Sequence, residues 1–137
     1  MHVREISRRD IALASKHDSI FYAAKMMREK HVSDVIIVDV INGQQIPVGI
    51  LSDRDIVIGV LAKGVPRQNQ LIEEVMSKQP LIACENDELI PTIKRMRARG
   101  IRSIPVTDNN NNVVGLLVID DILDNITKQL MDIDQLI

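Results

Sequence analysis

Gly49-Ile50-Leu51-Ser52-Asp53-Arg54-Asp55-Ile56 returns later as Gly115-Leu116-Leu117-Val118-Ile119-Asp120-Asp121-Ile122. The two stretches are 66 residues apart, and glycine, the central leucine, the second aspartate and the last isoleucine coincide. Working outward, residues 75 to 108 fall on residues 6 to 39 at a shift of 69, with Asp87 on Asp18, Met96 on Met27, Arg97 on Arg28 and Asp108 on Asp39. The change of three is absorbed between the turn Val40–Pro47 and its shorter counterpart Asn109–Asn112. Turns tolerate length changes that strands and helices do not, so this is the pattern of one unit present twice. A chain built this way has a pseudo-two-fold axis, with two nearly equivalent clefts between its halves.

At 137 residues, each copy has about the size at which a domain alone buries too little surface. The copies are therefore expected to share a core. Apolar residues make up 45% of the chain, yet Phe21 and Tyr22 are its only aromatics, so the core must be aliphatic. A formal charge of −2 lacks the basic excess of general nucleic-acid binders. Two aromatics also leave no platform for stacking single-stranded bases. Cys84 is the only cysteine, which rules out an internal disulfide and a thiolate zinc cluster. In the run Leu81–Cys84, which reads as a buried strand, it is expected to be an inert core thiol. His2, His17 and His31 show no metal-ligand spacing, and no metal site is expected. Met1–Asp10 has no apolar signal-peptide core, and no stretch approaches the ~20 apolar residues of a membrane span. The expectation is a soluble, cytoplasmic protein with no membrane partner.

The first copy reads as a short apolar stretch Ile11–Ala14, then a helix capped by Asp18 or Ser19 and running to about Lys30. A buried strand Val35–Val38, an Asn42-Gly43 turn, a strand Val48–Leu51 and a helix from about Asp53 to Ala62 follow. Lys63–Gln70 joins the copies, and a helix Leu71–Met76 leads into the second. There Leu81–Cys84, a helix Glu88–Arg99 capped by Asp87, strands Ile104–Val106 and Val113–Val118, and a helix from Ile119 to about Met131 repeat the order. The fold class is α/β (α+β): two β-α-β-β-α repeats, 1–66 and 67–137, with small sheets packed face to face, because these strands are too apolar to have a wet face.

The order of elements, the two octapeptides and the segment Gly100-Ile101-Arg102-Ser103-Ile104-Pro105-Val106 together resemble the cystathionine-β-synthase (CBS) domain in tandem, the pair called a Bateman module. The first octapeptide is very like a segment of the regulatory module of IMP dehydrogenase. The likeness extends from about Val3 to Met131. It implies a regulatory module that binds adenosine-containing ligands between the copies, and commonly a homodimer formed through helices.

Ser52-x-x-Asp55 reads first as a capping box that satisfies free N–H groups of the following helix. The same helix start suits a phosphate, and in CBS domains of this pattern the hydroxyl contacts phosphate and the aspartate contacts ribose. Asp121 keeps the ribose position in the second copy, where Val118 replaces the hydroxyl. Arg102 stands where related domains carry a phosphate-reaching base; the first copy has Ser33 there. The family arrangement would put Ser52, Asp55 and Arg102 around one cleft, although Arg102 also reads as a solvated surface residue. Leu81, Ile82, Ile104 and Pro105 are candidates for an apolar slot for the base, and each also reads as plain core.

The resulting expectation is a stand-alone sensor of AMP, ADP, ATP, NAD or S-adenosylmethionine that acts on an unidentified effector protein or on its own assembly. No catalytic residues and no obligatory cofactor are expected, since no Gly-rich phosphate loop, nucleophile set or metal-spaced carboxylate cluster is present. The alternatives are a structural dimerisation module with vestigial clefts and, further off, a nucleotide-metabolising enzyme.

Overall fold

The computed structural model describes residues 1–64 and 68–137. The expected boundary between repeats, at 66/67, lies outside the described residues, as do Pro66 and Arg67 of the joining segment.

In the first copy β1 (Leu13–Ala14) leads to α1 (Ile20–Lys30), then β2 (Asp34–Ile41), β3 (Gln44–Ser52) and α2 (Asp53–Gly59). After the 3-10 turn Leu61–Lys63 come another, Ile72–Glu74, and β4 (Ser77–Lys78). The second copy is β5 (Ala83–Cys84), α3 (Leu89–Arg99), β6 (Ser103–Thr107), β7 (Val113–Val118) and α4 (Ile119–Asp134). One sheet has the order β1-β2-β3-β4 and the other β5-β6-β7.

The pseudo-symmetry extends to local irregularities. Both hairpins slip register at matching places, between Ile37 and Val38 and between Val106 and Thr107. Both first helices end on a left-handed residue, His31 at φ 54° and Gly100 at φ 63°, the conformation that closes a helix C-terminus. The first hairpin turns through Asn42 and Gly43 at φ 52° and 78°, as Asn-Gly chemistry requires. The second turns on Asp108, whose Oδ1 accepts from the backbone N–H of Asn110 and Asn112 at 2.8 and 3.0 Å.

The two sheets face each other across Ile36 and Val38 of β2 and Val113 and Leu116 of β7, with Ile50 and Val118 packed beside them. Behind each sheet its own helices close a separate aliphatic layer, built around Val35, Ile37 and Leu51 in one copy and Ile104, Val106 and Leu117 in the other. The hydrophobic effect thus joins two units that are marginal alone into one body.

The structure adds an exchange of arms. Val3, in the 3-10 turn Val3–Glu5, is fully buried in the core of the second copy, and Ile72 in that of the first. Matching hydrogen bonds hold them: Val3 N–H to Asp87 O and Ile72 N–H to Asp18 O, both 2.9 Å. Beyond each turn the arm pairs with a sheet edge. Ser77 of β4 lies opposite Ile50, and Arg8 exchanges both backbone bonds with Leu116 at 2.8 and 3.0 Å. Both repeated glycines lie under these arms. A Cβ on Gly115 would stand 2.7 Å from Arg8 O, and one on Gly49 would stand 2.6 Å from Met76 Sδ and 3.0 Å from Ser77 O.

Several local expectations change. The segment Leu71–Met76 is no helix but the single turn Ile72–Glu74. Asp87 does not cap α3: its Oδ2 accepts from Cys84 N–H at 2.9 Å, bracing the strand-to-helix turn, as Asp18 does for Ser15 at 2.8 Å. Glu88 occupies the cap position without a side-chain bond, whereas Ser19 caps α1 by accepting from Tyr22 N–H at 3.1 Å. Cys84 is half-buried rather than core, with Sγ 3.5 Å from Asn109 Oδ1. No helix among the described residues is long and apolar enough to cross a membrane.

Candidate functional site

A cavity of about 430 Å³ opens across the pseudo-two-fold axis between the copies. Its size is within the range of small-molecule sites, about 300–1,000 Å³. The floor follows from the fold: β3 and β7 meet near the axis, and each hands its chain to a helix start there. Matching bonds tie those starts to the strands beside them, Asp53 N–H to Ser33 O and Ile119 N–H to Arg102 O, both 2.9 Å.

At the first end Ser52 and Asp55 form the capping box anticipated from their spacing. Ser52 Oγ accepts from Asp55 N–H at 3.0 Å, and Asp55 Oδ2 accepts from Ser52 N–H at 2.9 Å. This leaves the serine its own proton to donate. Among the described residues, Oδ2 is the one oxygen of Asp55 with a protein partner. Both side chains line the cavity, as does Arg102 from the other copy, so the three residues meet around one space. Arg102 Nη2 lies 3.5 Å from Asp120 Oδ1, with the side chains 80% and 70% exposed. An ion pair so open to water is worth about 0–1 kcal/mol, which makes it cheap to exchange for a ligand group.

Asp34, at the start of β2, also faces the cavity. Burial pushes its carboxyl above the ordinary 3.8, a hydrogen bond with Ser103 opposes this, and the neighbouring charges of Asp53 and Asp55 add to it. The strand pattern made Asp34 visible only as a polar residue before a buried run.

The four residues expected to form an apolar slot lie outside this cavity. Leu81, Ile82, Ile104 and Pro105 do not line the cavity: Ile104 and Pro105 are buried, Leu81 packs on the second core, and Ile82 O accepts from Arg95 Nη2 at 2.9 Å. The apolar wall beside Ser52 comes from Ile11, Ala12, Val32 and Ile36 of the first copy. The reason is topological. The helix start carrying Ser52 follows β3, and its sheet neighbours are the edge and β2 of its own copy.

The second end differs from the first in its geometry. Val118 stands before α4 with no side-chain cap bond. Asp121 is not among the lining residues, and both its oxygens are taken by Arg8, Nε to Oδ2 at 2.5 Å and Nη2 to Oδ1 at 2.9 Å. Arg8 was not singled out by the sequence reading. The repeat register places it opposite Ser77, but only the exchange of arms reveals which carboxylate it meets.

Comparison with known proteins fits this geometry. The family model of the CBS domain matches residues 3–61 and 72–128. An uncharacterized protein of Methanopyrus kandleri is 35% identical over 122 residues, 88% of this chain. The CBS domain-containing protein YhcV of Bacillus subtilis is 29% identical over 123 residues, 90% of this chain. The chain spans 60% of the length of the first relative and 84% of the second. Among solved structures, the CBS domain pair of protein MJ0100 in complex with 5′-methylthioadenosine and S-adenosyl-L-methionine superposes with a TM-score of 0.80 at 27% identity, covering 94% of this chain and 98% of that one. The chain belongs to the CBS domain family and carries two CBS domains in tandem.

Proposed function

We propose that this CBS pair is a ligand-binding regulatory module whose first cleft takes an adenosyl compound. The observation that carries the reading is the meeting of Ser52, Asp55 and Arg102 around one cavity of about 430 Å³ beside an apolar wall. The base lies against Ile11, Ala12 and Ile36, the ribose hydroxyls donate to Asp55, and the 5′ substituent reaches Ser52 and Arg102. Similarity to a pair that holds 5′-methylthioadenosine and S-adenosyl-L-methionine supports this choice of ligand class.

The output is a change in an effector protein or in self-assembly. Phe21 on α1, Ile90 on α3, and Leu123, Leu130 and Ile133 on α4 are all about half exposed or more. An apolar helical surface of this kind suits a homodimer formed through helices.

The test is titration calorimetry with S-adenosyl-L-methionine, 5′-methylthioadenosine, AMP, ADP, ATP and NAD, with analysis of each incubated compound for turnover. Saturable binding of at least one, lost in Asp55→Ala with the compound returned unchanged, is expected. No binding at millimolar concentration would favour the structural module, and conversion of a compound would favour an enzyme.

A further inference from the structure

The two ends of the cavity differ in the residue that each exchanged arm brings to the ribose-position aspartate. In the first copy the equivalent arm residue is Ser77, opposite Ile50, and both Ser77 and Asp55 line the cavity. In the second it is Arg8, whose guanidinium grips Asp121 through two bonds at 2.5 and 2.9 Å. The side chains are 43% and 29% exposed.

This arm is not loosely laid on the surface. Its backbone makes both bonds to Leu116, Val3 anchors it in the second core, and Gly115 has given up its Cβ to let Arg8 O approach. The guanidinium is therefore held beside Asp121 by the fold itself. A bidentate, charge-assisted pair is the strongest common form of side-chain hydrogen bonding. A ribose would have to offer neutral hydroxyls in place of a full cation already bound through two charge-assisted bonds.

We infer that Arg8 is a built-in occupant of the second cleft, filling the position of a ribose at Asp121 and limiting the module to one adenosyl ligand per chain. The inference rests on the adenosyl reading of the clefts given above, and it assigns Arg8 as a specificity-determining residue. Loss of the hydroxyl at Val118 then reads as the relaxation of a site already closed.

The experiment separates the effect of Arg8 from that of Val118. Calorimetry with S-adenosyl-L-methionine, repeated with AMP, is run on the full chain, on Val118→Ser, on Arg8→Ser/Val118→Ser and on the latter with Asp121→Ala added. Serine at position 8 copies Ser77, which the matching arm already accommodates. The expected stoichiometry is one per chain for the unmodified protein and for Val118→Ser, two for the double variant, and one again once Asp121 is removed. Two sites in Val118→Ser, with Arg8 in place, would overturn the inference, as would a double variant that still binds one. If the unmodified protein binds neither compound while the double variant binds one through Asp121, the occupant role stands and the first-cleft reading falls. If no variant binds either, both fall.

Discussion

Replacing Gly115 with alanine tests whether the exchanged arms are built into the fold. Gly115 has no need of glycine for its backbone conformation; the need is one of space, because a Cβ there would sit 2.7 Å from the carbonyl oxygen of Arg8 and 3.2 Å from Ser7 Oγ. Ordinary contact starts near 3.4 Å, so the arm or β7 must move by about 0.7 Å, that is 3.4 less 2.7. Two responses are open. The arm stays and the strain is absorbed, at about 1–3 kcal/mol for overpacking. Alternatively the arm lifts and gives up its two backbone bonds to Leu116, each worth about 0.5–1.5 kcal/mol, again about 1–3 in all. Both routes therefore lead to the same range. Gly49→Ala is the internal control. Its nearest obstacle is Met76 Sδ at 2.6 Å, on a side chain that can rotate away, and the backbone oxygen of Ser77 is farther, at 3.0 Å. That variant should cost about 1 kcal/mol or less. Urea denaturation monitored by circular dichroism gives both free energies, and hydrogen exchange at the Leu116 amide reports whether the arm has lifted. A Gly49→Ala variant as destabilised as Gly115→Ala, or two variants indistinguishable from the parent, would refute the close-approach argument.

Three further outcomes follow from the cavity and its surroundings. Ser52→Val copies Val118 into the first end and should weaken a phosphate-bearing ligand such as AMP on the order of ten- to a hundredfold, for a lost bond to a charged group worth about 1.5–3 kcal/mol. The accompanying cap loss is about 0.5–2 kcal/mol, and calorimetry beside a thermal melt separates the two; unchanged AMP affinity would remove Ser52 from the ligand site. Asp34→Asn should stabilise the fold at neutral pH: its folded carboxyl is raised above 3.8, so the parent loses stability as pH climbs from 3.8 through that raised value, and the amide does not. The gain should shrink to nothing at pH 3.8 and below, and urea midpoints showing the same difference at pH 7 and in acid would contradict it. Leu130→Glu on the exposed face of α4, where Leu130 is 62% exposed, should leave the fold intact and turn the proposed homodimer into a monomer by light scattering; an unchanged mass would move the interface elsewhere.

The features legible in the sequence are those that depend on local pattern. The shifts of 69 and 66 locate both copies, the Asn-Gly and Asn-rich turns set the hairpins, and Ser52-x-x-Asp55 forms the box its spacing implied. What escaped the reading is non-local. Arm strands of two residues carry no periodicity, so nothing in Ser77–Lys78 or around Arg8 marks them as sheet edges. For the same reason the turn Ile72–Glu74 resembled the start of a helix in the second copy, while its isoleucine fills the core of the first. Two of the four apolar candidates have equivalents at the cavity. Leu81 and Pro105 fall on Ala12 and Ile36 at the shift of 69, and it is Ala12 and Ile36 that line the cavity. Periodicity identifies a lining position within a repeat, but which copy supplies it depends on how the sheets meet.

Pseudo-symmetry also supplies an internal comparison for each functional residue. In the first copy stand Ser33, Ser52, Arg54 and Ser77; in the second copy their equivalents are Arg102, Val118, Asp120 and Arg8. A shared folding requirement would preserve such positions in both copies, as it preserves Gly49 and Gly115 under the arms and Asp18 and Asp87 at the turns. Divergence therefore marks positions free of that requirement, and these cavity positions are among them. The second copy's aspartate is matched within the protein, since Arg8 binds both oxygens of Asp121, whereas Arg102 meets Asp120 only in an open pair and remains available to the cavity. A cleft whose charges are matched within the protein has little left to offer a ligand, whereas at the first end Ser52 retains a proton to donate and Asp55 an oxygen to accept. On the adenosyl reading proposed above, the two halves keep one fold while dividing its work, with binding at one end of the axis and closure at the other.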